Sequence, residues 1–235
     1  MTFGNMTGRE LKEYRTHNRL TQEEAAKALG VSQTYLSLLE SDKRRLNERL
    51  KKKLVRTMNV RPTQLAALAR DHRVRNASDE QLSADLAALG YKGFSHLKPS
   101  QPKNPADVLL SALMSDKRDA RLVEALPWLV LQFPDMEWKS LVKTARAYLL
   151  QNRLGFITYV AKCVAELNND QRKVSLLSKW ETELERSKLE REETLCNETM
   201  TNAEREWLQT QRPEAAKQWR LLTNLSAVYL TYDVE

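Results

Sequence analysis

The chain has 235 residues, enough for one large or two modest domains, and 41% of them are hydrophobic. Seven Pro and six Gly are too few for a loop-rich all-β protein or a long disordered region. The sequence has no apolar run long enough for a membrane span, no signal-peptide core and only two cysteines, so we expect a cytoplasmic protein without a disulfide framework or membrane association.

The net charge of +7 is unevenly distributed. Residues 1–75 hold 17 Lys and Arg against 8 Asp and Glu, whereas the other 160 residues hold 21 against 23. A basic first segment attracts a polyanion, and the nearly neutral remainder has a different task.

Two short helices separated by a tight turn are predicted in the stretch TQEEAAKALGVSQTYLSLLESDKRR, after a first helix from Gly8 to about His17 that Thr7 can cap. Thr21 is a good N-cap, and Glu24 can close a capping box. The next helix, Gln22 to Leu29, stops at Gly30, a residue that tolerates the left-handed conformation. Ser32 then caps a helix that runs to about Ser41. The pattern predicts a helix-turn-helix.

The polar side chains of this stretch are of the kinds that bind DNA. Gln33, Thr34 and Ser37 are hydrogen-bonding side chains suited to base edges. Tyr35 can pack beside a thymine methyl or the backbone. Gln22 and Ser32 stand at helix N-termini, which favour phosphate. The phosphate candidates that follow are Lys43, Arg44 and Arg45.

Blander interpretations stay open at this point. Any helical hairpin with good caps shows a similar pattern. Arg9 and Arg15 of the first helix can reach phosphates, but exposed arginines are usually just solvated.

The elements TQEEAAKALGVSQ, YLSLLE and KRR together resemble the XRE family of helix-turn-helix regulators, over roughly Leu11 to Leu65. The resemblance implies a five-helix, phage-repressor-like domain that binds operator DNA. Three positions depart from the family pattern. Ala25 replaces a larger apolar residue, Leu38 a polar or basic one, and Asp42 a glycine. Asp tolerates the left-handed conformation, whereas Leu38 puts one DNA contact in doubt.

The predicted domain at residues 1–70 ends with two further helices. Apolar residues at 46, 50, 54 and 58 mark one face of the fourth, and Gln64–Ala69 forms the fifth. Residues 71–104 then form a connector, with one docked helix from Ser78 to Gly90 and with Pro99 and Pro102 near its end, just before Pro105. Tyr91 and Phe94 are expected to anchor it to a neighbouring surface.

Residues 105–235 form a larger, irregular helical domain, so that the fold class is all-α. Asn104 caps the first helix, which has Pro105 at its first position. Pro127 interrupts an apolar run that is either a bent buried helix or a buried strand. Asp135–Leu150 should turn Trp138, Leu141, Val142, Ala145 and Leu149 inward. Further helices are expected at Ala106–Met114, Asp119–Leu126, Leu154–Leu167, Ser175–Leu195, from the capping box of Thr201 and Glu204 to Pro213, and at Glu214–Leu230.

Catalytic signals are scarce. The histidines and cysteines have no metal-ligand spacing, and the sequence contains no nucleophile elbow, Walker loop or HExxH motif. We therefore expect no enzyme, no metal and no cofactor.

Three tasks are open for residues 105–235. Repressors of this type usually bind as dimers, and the Leu177–Trp180–Leu184 stripe is either a homodimer surface or core. Trp128 and Trp138 can line a pocket of a phage- or stress-type repressor that senses a small ligand. Finally, the elements ALPWLVLQFPD, LQNRLGF and TLCNETMTNAEREWL resemble the helical tail of XRE-type antitoxins. This resemblance implies an autorepressing antitoxin whose partner is a nucleotidyltransferase-like toxin.

Overall fold

The computed structural model describes residues 8–47, 49, 50, 53, 63, 76–100, 102–230 and 232. Its chain divides into two compact units, Met1–Asp71 and His72–Glu235. The described residues are mostly helical, with two short strands among them. Within these ranges, no helix combines the length and apolar character that crossing a membrane requires.

The first unit contains three described helices, α1 (Gly8–His17), α2 (Gln22–Leu29) and α3 (Gln33–Glu40). These bounds confirm the predicted first and second helices, and the third begins directly after its predicted cap, Ser32. The helices enclose one small apolar core, made of Leu11, Ala25, Ala26, Leu29, Leu36, Leu39, Leu46 and Leu50. The predicted cap Thr7 and the predicted fourth and fifth helices fall outside the described residues, apart from isolated positions.

The second unit begins with α4 (Asp79–Ala88), α5 (Pro105–Leu113), α6 (Ala120–Gln132) and α7 (Trp138–Ala147). It continues with α8 (Gln151–Leu167), α9 (Gln171–Glu185), β1 (Glu193–Thr194), α10 (Asn202–Gln211), α11 (Glu214–Gln218) and β2 (Leu221–Leu222). Short 3-10 turns lie at Lys92–Phe94 and Ala227–Tyr229. The strands β1 and β2 pair in parallel, with Glu193 opposite Leu221.

The centre of the second unit is α8, which buries side chains around most of its circumference. A helix that is hydrophobic on every side is stable only when neighbours surround it, and α6 and α9 pack against it. Gly155 lies where the ring of Trp219 crosses α8, because a Cβ there would stand 2.1 Å from the Trp219 ring. The pair therefore fixes the last part of the chain against the central helix.

The predicted connector contributes to this core. Leu82 and Leu86 of α4 are buried in it, and Ser78 caps the helix by accepting from the Gln81 amide. Tyr91 lies 5.0 Å from the ring of Trp128 and 5.3 Å from that of Phe94, between ring centroids. The aromatic anchors therefore have the role predicted for them.

Pro127 lies inside one helix, α6, so the alternative of a buried strand is wrong. The predicted caps Asn104 and Thr201 are confirmed. Asn104 Oδ1 accepts from the Ala106 amide at 2.8 Å, and Thr201 completes its box with Glu204.

The predicted helix Ser175–Leu195 is wrong in its second half, because α9 ends at Glu185. The buried side chain of Asn152 binds the backbone of Leu189 twice, accepting from its N–H at 2.8 Å and donating to its carbonyl at 3.1 Å. Glu193 then pairs with β2. The two hydrogen bonds of Asn152 and the pairing of β1 with β2 hold this segment in a non-helical course, which overrides the helical periodicity of the sequence.

The predicted last helix, Glu214–Leu230, is also wrong beyond Gln218. Arg220 takes a left-handed φ of 53°, and Leu221–Leu222 forms β2. The burial of Trp219 against Gly155 and the pairing of β2 with β1 replace the further turns of helix.

Two expectations about exposed apolar surface are settled as well. Leu177 and Leu184 are fully buried, and the ring of Trp180 stacks on that of Trp138 with centroids 5.7 Å apart. The stripe is therefore core, and its use as a dimer surface is wrong. The prediction that Leu149 faces inward is wrong, because α7 ends at Ala147 and the leucine side chain is 47% exposed.

Candidate nucleic-acid interface

The helix α2 begins with a complete capping box. Thr21 Oγ1 accepts from the amide of Glu24 at 3.2 Å, and Glu24 Oε2 accepts from the amide of Thr21 at 2.7 Å. Hydrogen bonds from Thr21 to the carboxylate hold the pKa of Glu24 below its ordinary value. The box fixes where α2 starts and hence where the following turn lies.

The turn between α2 and α3 depends on Gly30. Its φ is 63°, and Val31 N–H donates to Ala26 O at 3.0 Å across it. A Cβ on Gly30 would stand 2.4 Å from Lys53 Nζ, so this lysine brings its ammonium group beside the turn. Ser32 then caps α3 by accepting from the Tyr35 amide at 3.2 Å.

The two sides of α3 differ sharply in exposure. Leu36 and Leu39 are buried against Ala25, Ala26 and Leu29 of α2, where the small alanines permit close approach of the helices. On the other side Gln33, Thr34 and Ser37 are all exposed. Tyr35 is half-buried and packs against the core, while Leu38 is half-buried. The structure thus brings the three predicted base-contact residues together on one accessible face of the helix.

The C-terminal end of α3 is tied to the beginning of α1. Asp42 takes the left-handed φ of 57° expected of it, and its carboxylate accepts from the amide of Gly8. A Cβ on Gly8 would stand 2.1 Å from Leu39 O, so only glycine permits this contact. Asp42 therefore does more than tolerate the turn, since it also caps α1.

A network of polar side chains links all three helices. Glu40 is buried, and its carboxylate receives Arg15 Nε at 2.6 Å and Gln22 Nε2 at 2.8 Å. Arg15 Nη1 also donates to Leu20 O at 2.9 Å. Burial alone would raise the pKa of Glu40, but the hydrogen bonds from Arg15 and Gln22 outweigh it, so the pKa lies below its ordinary value.

This network changes the interpretation of two residues. Arg15 is neither a phosphate contact nor simply solvated, because its guanidinium is committed to Glu40 and Leu20. Gln22, a predicted phosphate contact, gives one amide N–H to Glu40 and retains a second donor. The sequence does not predict this network, because nothing in it joins the three residues. The one available signal is Glu40 itself: it lies next to the inward-facing Leu36 and Leu39, and a buried carboxylate needs a cation as its partner.

The basic run follows directly. Lys43, Arg44 and Arg45 are exposed, and the Arg44 amide donates to Leu38 O at 3.1 Å. That bond holds the run against the end of α3. The run begins just after α3 ends, so it lies about 12 Å along the helix from Gln33 at the start of α3, the length of eight helical residues. The unit therefore combines an exposed polar helix face with fixed positive charge.

A family model described as helix-turn-helix matches residues 11–65, which is less than a quarter of the chain. No curated protein and no solved structure matches the chain. Residues 11–65 are thus a helix-turn-helix domain of the XRE type, which points to a DNA-binding transcription regulator.

Proposed function

We propose that this protein is a cytoplasmic repressor that recognises its operator through α3. The observation that carries the proposal is the exposure of Gln33, Thr34 and Ser37 on one face of a helix whose opposite face is buried. The major groove of B-DNA admits an α-helix, and side chains of this kind bind the base edges there.

Each candidate residue has a distinct role in this proposal. Gln33, in the first turn of α3, reads a base, since a glutamine amide can bond adenine at two atoms. Thr34 and Ser37 bond neighbouring base edges, while Tyr35 packs beside a thymine methyl or the backbone. Phosphates are held by the second amide N–H of Gln22, by the N-terminus of α3 at Ser32, and by the run of Lys43, Arg44 and Arg45.

We further propose that the repressor acts as a homodimer. One short recognition helix makes few base contacts, and two of them fit half-sites about 34–36 Å apart, one helical turn of DNA. The dimer surface is not the Leu177–Trp180–Leu184 stripe, because both leucines are fully buried and the partly buried Trp180 ring is stacked on Trp138.

The experiment is selection of duplexes from a random pool by the full chain. The expected result is an enriched sequence with two related half-sites spaced by about 10–10.5 base pairs. The Thr34→Ala variant should alter the preferred bases, whereas Lys27→Ala, an exposed lysine on α2, should leave them unchanged. Recovery of unrelated sequences would show that the protein binds DNA by charge alone.

The antitoxin role is a finer hypothesis whose support is the sequence resemblance of the second unit. Its RLGF element, Arg153–Phe156, has a packing role here: Arg153 donates to Leu113 O at 2.8 Å, and Gly155 accommodates Trp219. The hypothesis predicts that a neighbouring reading frame encodes a nucleotidyltransferase-like toxin, and co-expression of that toxin with the full chain tests it. Rescue of growth is the expected result, and unrelieved toxicity would exclude this role.

A further inference from the structure

Two apolar side chains lie exposed in the turn between α7 and α8. Tyr148 is 46% exposed and Leu149 is 47% exposed, whereas Leu150, the next residue, is buried. Scattered exposed apolar residues are normal on a protein, but two large ones in a single turn form a raised patch. We call Tyr148 and Leu149 the α7 knob.

The backbone of the knob is not the one that its sequence favours. Leu149 has a φ of 58°, and Leu150 N–H donates to Ala145 O at 2.8 Å in the arrangement that ends many helices. The residue in this left-handed position is usually glycine, because a side chain there is strained. The chain therefore keeps a leucine where glycine fits better, and it leaves that leucine in solvent. Strained residues of this kind often mark functional sites.

Basic side chains lie on the two segments next to the knob. The helix α7 carries Lys139, Lys143 and Arg146 and no acidic residue. The segment 186–191 lies beside it, since Arg146 Nε donates to Ser187 Oγ at 3.0 Å and Arg191 approaches Leu149 O at 3.5 Å.

Segment 186–191 adds three cations, Arg186, Lys188 and Arg191, against one carboxylate, Glu190. Neighbouring Glu183 pairs with Arg146 at 2.7 Å and with Arg186 at 3.3 Å, Arg191 lies 3.7 Å from Glu193, and Glu190 pairs with Arg220. Lys139, Lys143 and Lys188 form none of these ion pairs, so the six cations of α7 and segment 186–191, which we call the basic rim, keep an excess of positive charge. The rim stands out because residues 76–235 as a whole hold slightly more acidic than basic residues.

We propose that the α7 knob is the docking site for an acidic segment of a partner protein. An apolar side chain of the partner packs against Leu149 and Tyr148, while flanking carboxylates face the basic rim. A central apolar anchor inside a charged rim is the usual arrangement of a protein interface. The inference does not depend on DNA recognition by α3.

Other occupants fit less well. A symmetric contact with a second copy would bring the same basic rim face to face, and like charges so placed repel. A nucleic acid would satisfy the cations and could stack on Tyr148, but Leu149, the more strained half of the knob, offers it neither a stacking plane nor a hydrogen bond, so nucleic-acid binding is one of the outcomes that the test separates.

The test is selection of random peptides displayed on phage by the full chain, followed by affinity measurements with the selected peptides. The expected peptides carry carboxylates on both sides of an apolar or aromatic residue. Leu149→Gly should bind them at least roughly tenfold more weakly. Its melting temperature should be unchanged or higher, because glycine relieves the strain. A structural role for Leu149 would instead lower the melting temperature.

A second variant and a matched control complete the design. Lys143→Glu should also weaken binding, and more so at low salt, because it reverses one charge of the rim. Leu167→Ala removes a 63% exposed leucine at the far end of α8, about 25 Å away by helix length, and should bind normally.

Four results would overturn the proposal. The first three are a failure to select any peptide, selected peptides without carboxylates, and binding by the Leu149→Gly variant that is as tight as binding by the unchanged protein. The fourth is self-association, or binding of random-sequence nucleic acid, that the Leu149→Gly and Lys143→Glu variants lose and the Leu167→Ala variant keeps.

Discussion

The first unit carries the helix-turn-helix motif and the second carries the RLGF element, Arg153–Phe156, and the two motifs place their side chains differently. In the first unit Gln33, Thr34 and Ser37 are exposed on α3. In the second unit Arg153, Gly155 and Phe156 are buried within α8. A motif can therefore reflect either recognition or packing, and exposure separates the two meanings.

A buried carboxylate in each unit sharpens the contrast. Glu40 receives hydrogen bonds from Arg15 and Gln22, and its pKa is lowered. Glu193 lies 3.3 Å from Arg153, but burial dominates and raises its pKa. The first carboxylate is stabilised as an ion by its partners, whereas the second is held at a cost to the fold.

The largest effect is expected for Arg153→Ala. It removes donors to Leu113 O, Ser115 O and Asp116, and it leaves Glu193 without its nearest cation. Breaking a buried ion pair from one side costs about 3–5 kcal/mol in the free energy of unfolding. Urea unfolding followed by tryptophan fluorescence measures it, because all five tryptophans lie in the second unit.

The matched control is Arg186→Ala, which removes a guanidinium whose side chain is 73% exposed. It should leave the unfolding curve unchanged. If Arg153→Ala and Arg186→Ala had the same free energy of unfolding, the RLGF element would not have the packing role assigned to it.

The next effect is expected for Gly155→Ala. The new methyl group would meet the Trp219 ring at 2.1 Å, and overpacking of this kind costs about 1–3 kcal/mol. Combining it with Trp219→Phe should cost less than the sum of the two single changes, because phenylalanine lacks the outer ring atoms in the contact. Strict additivity in the same urea experiment would contradict the assigned contact.

A smaller, opposite effect of pH is expected on the two units. The folded-state pKa of Glu40 is lowered, so its stabilisation is present above the ordinary glutamate pKa of about 4.3 and is lost as the pH falls through the folded value. The folded-state pKa of Glu193 is raised, so its contribution is greatest below about 4.3 and is lost as the pH rises through the folded value.

Lowering the pH should therefore reduce the free energy of unfolding of the first unit, because Glu40 becomes protonated. Protonation of Glu193 should instead stabilise the second unit. Circular dichroism follows both units, and tryptophan fluorescence follows the second alone. The first unit is therefore seen as a change in circular dichroism without a change in fluorescence. Glu40→Gln should make the unfolding of this unit less dependent on acid pH. A fluorescence change that preceded the dichroism change on acidification would reverse this assignment.

Local signals predicted the three described helices of the first unit well. Thr21, Gly30 and Ser32 each act on their nearest backbone, so the caps and the turn could be read from adjacent residues. The network of Arg15, Gln22 and Glu40 could not, since its members are 18 and 25 residues apart and meet only through the packing of three helices.

The second unit was less predictable for the same reason. The helical periodicity after Glu185 is overridden by Asn152, which binds Leu189 across 37 residues. Exposure of Leu149 likewise follows from where α7 ends, and the periodicity of a sequence does not fix the last residue of a helix.

We propose that the exposed face of α3 recognises bases, while the basic run only holds phosphates. The decisive measurement is the affinity of Gln33→Ala and Lys43→Ala for the selected operator and for a random duplex, over a range of salt concentrations. Gln33→Ala should lose about 1–3 kcal/mol on the operator and little on the random duplex. Lys43→Ala should weaken both alike and reduce the salt slope by about 1. Losses that are the same for both variants on both duplexes would contradict the claim.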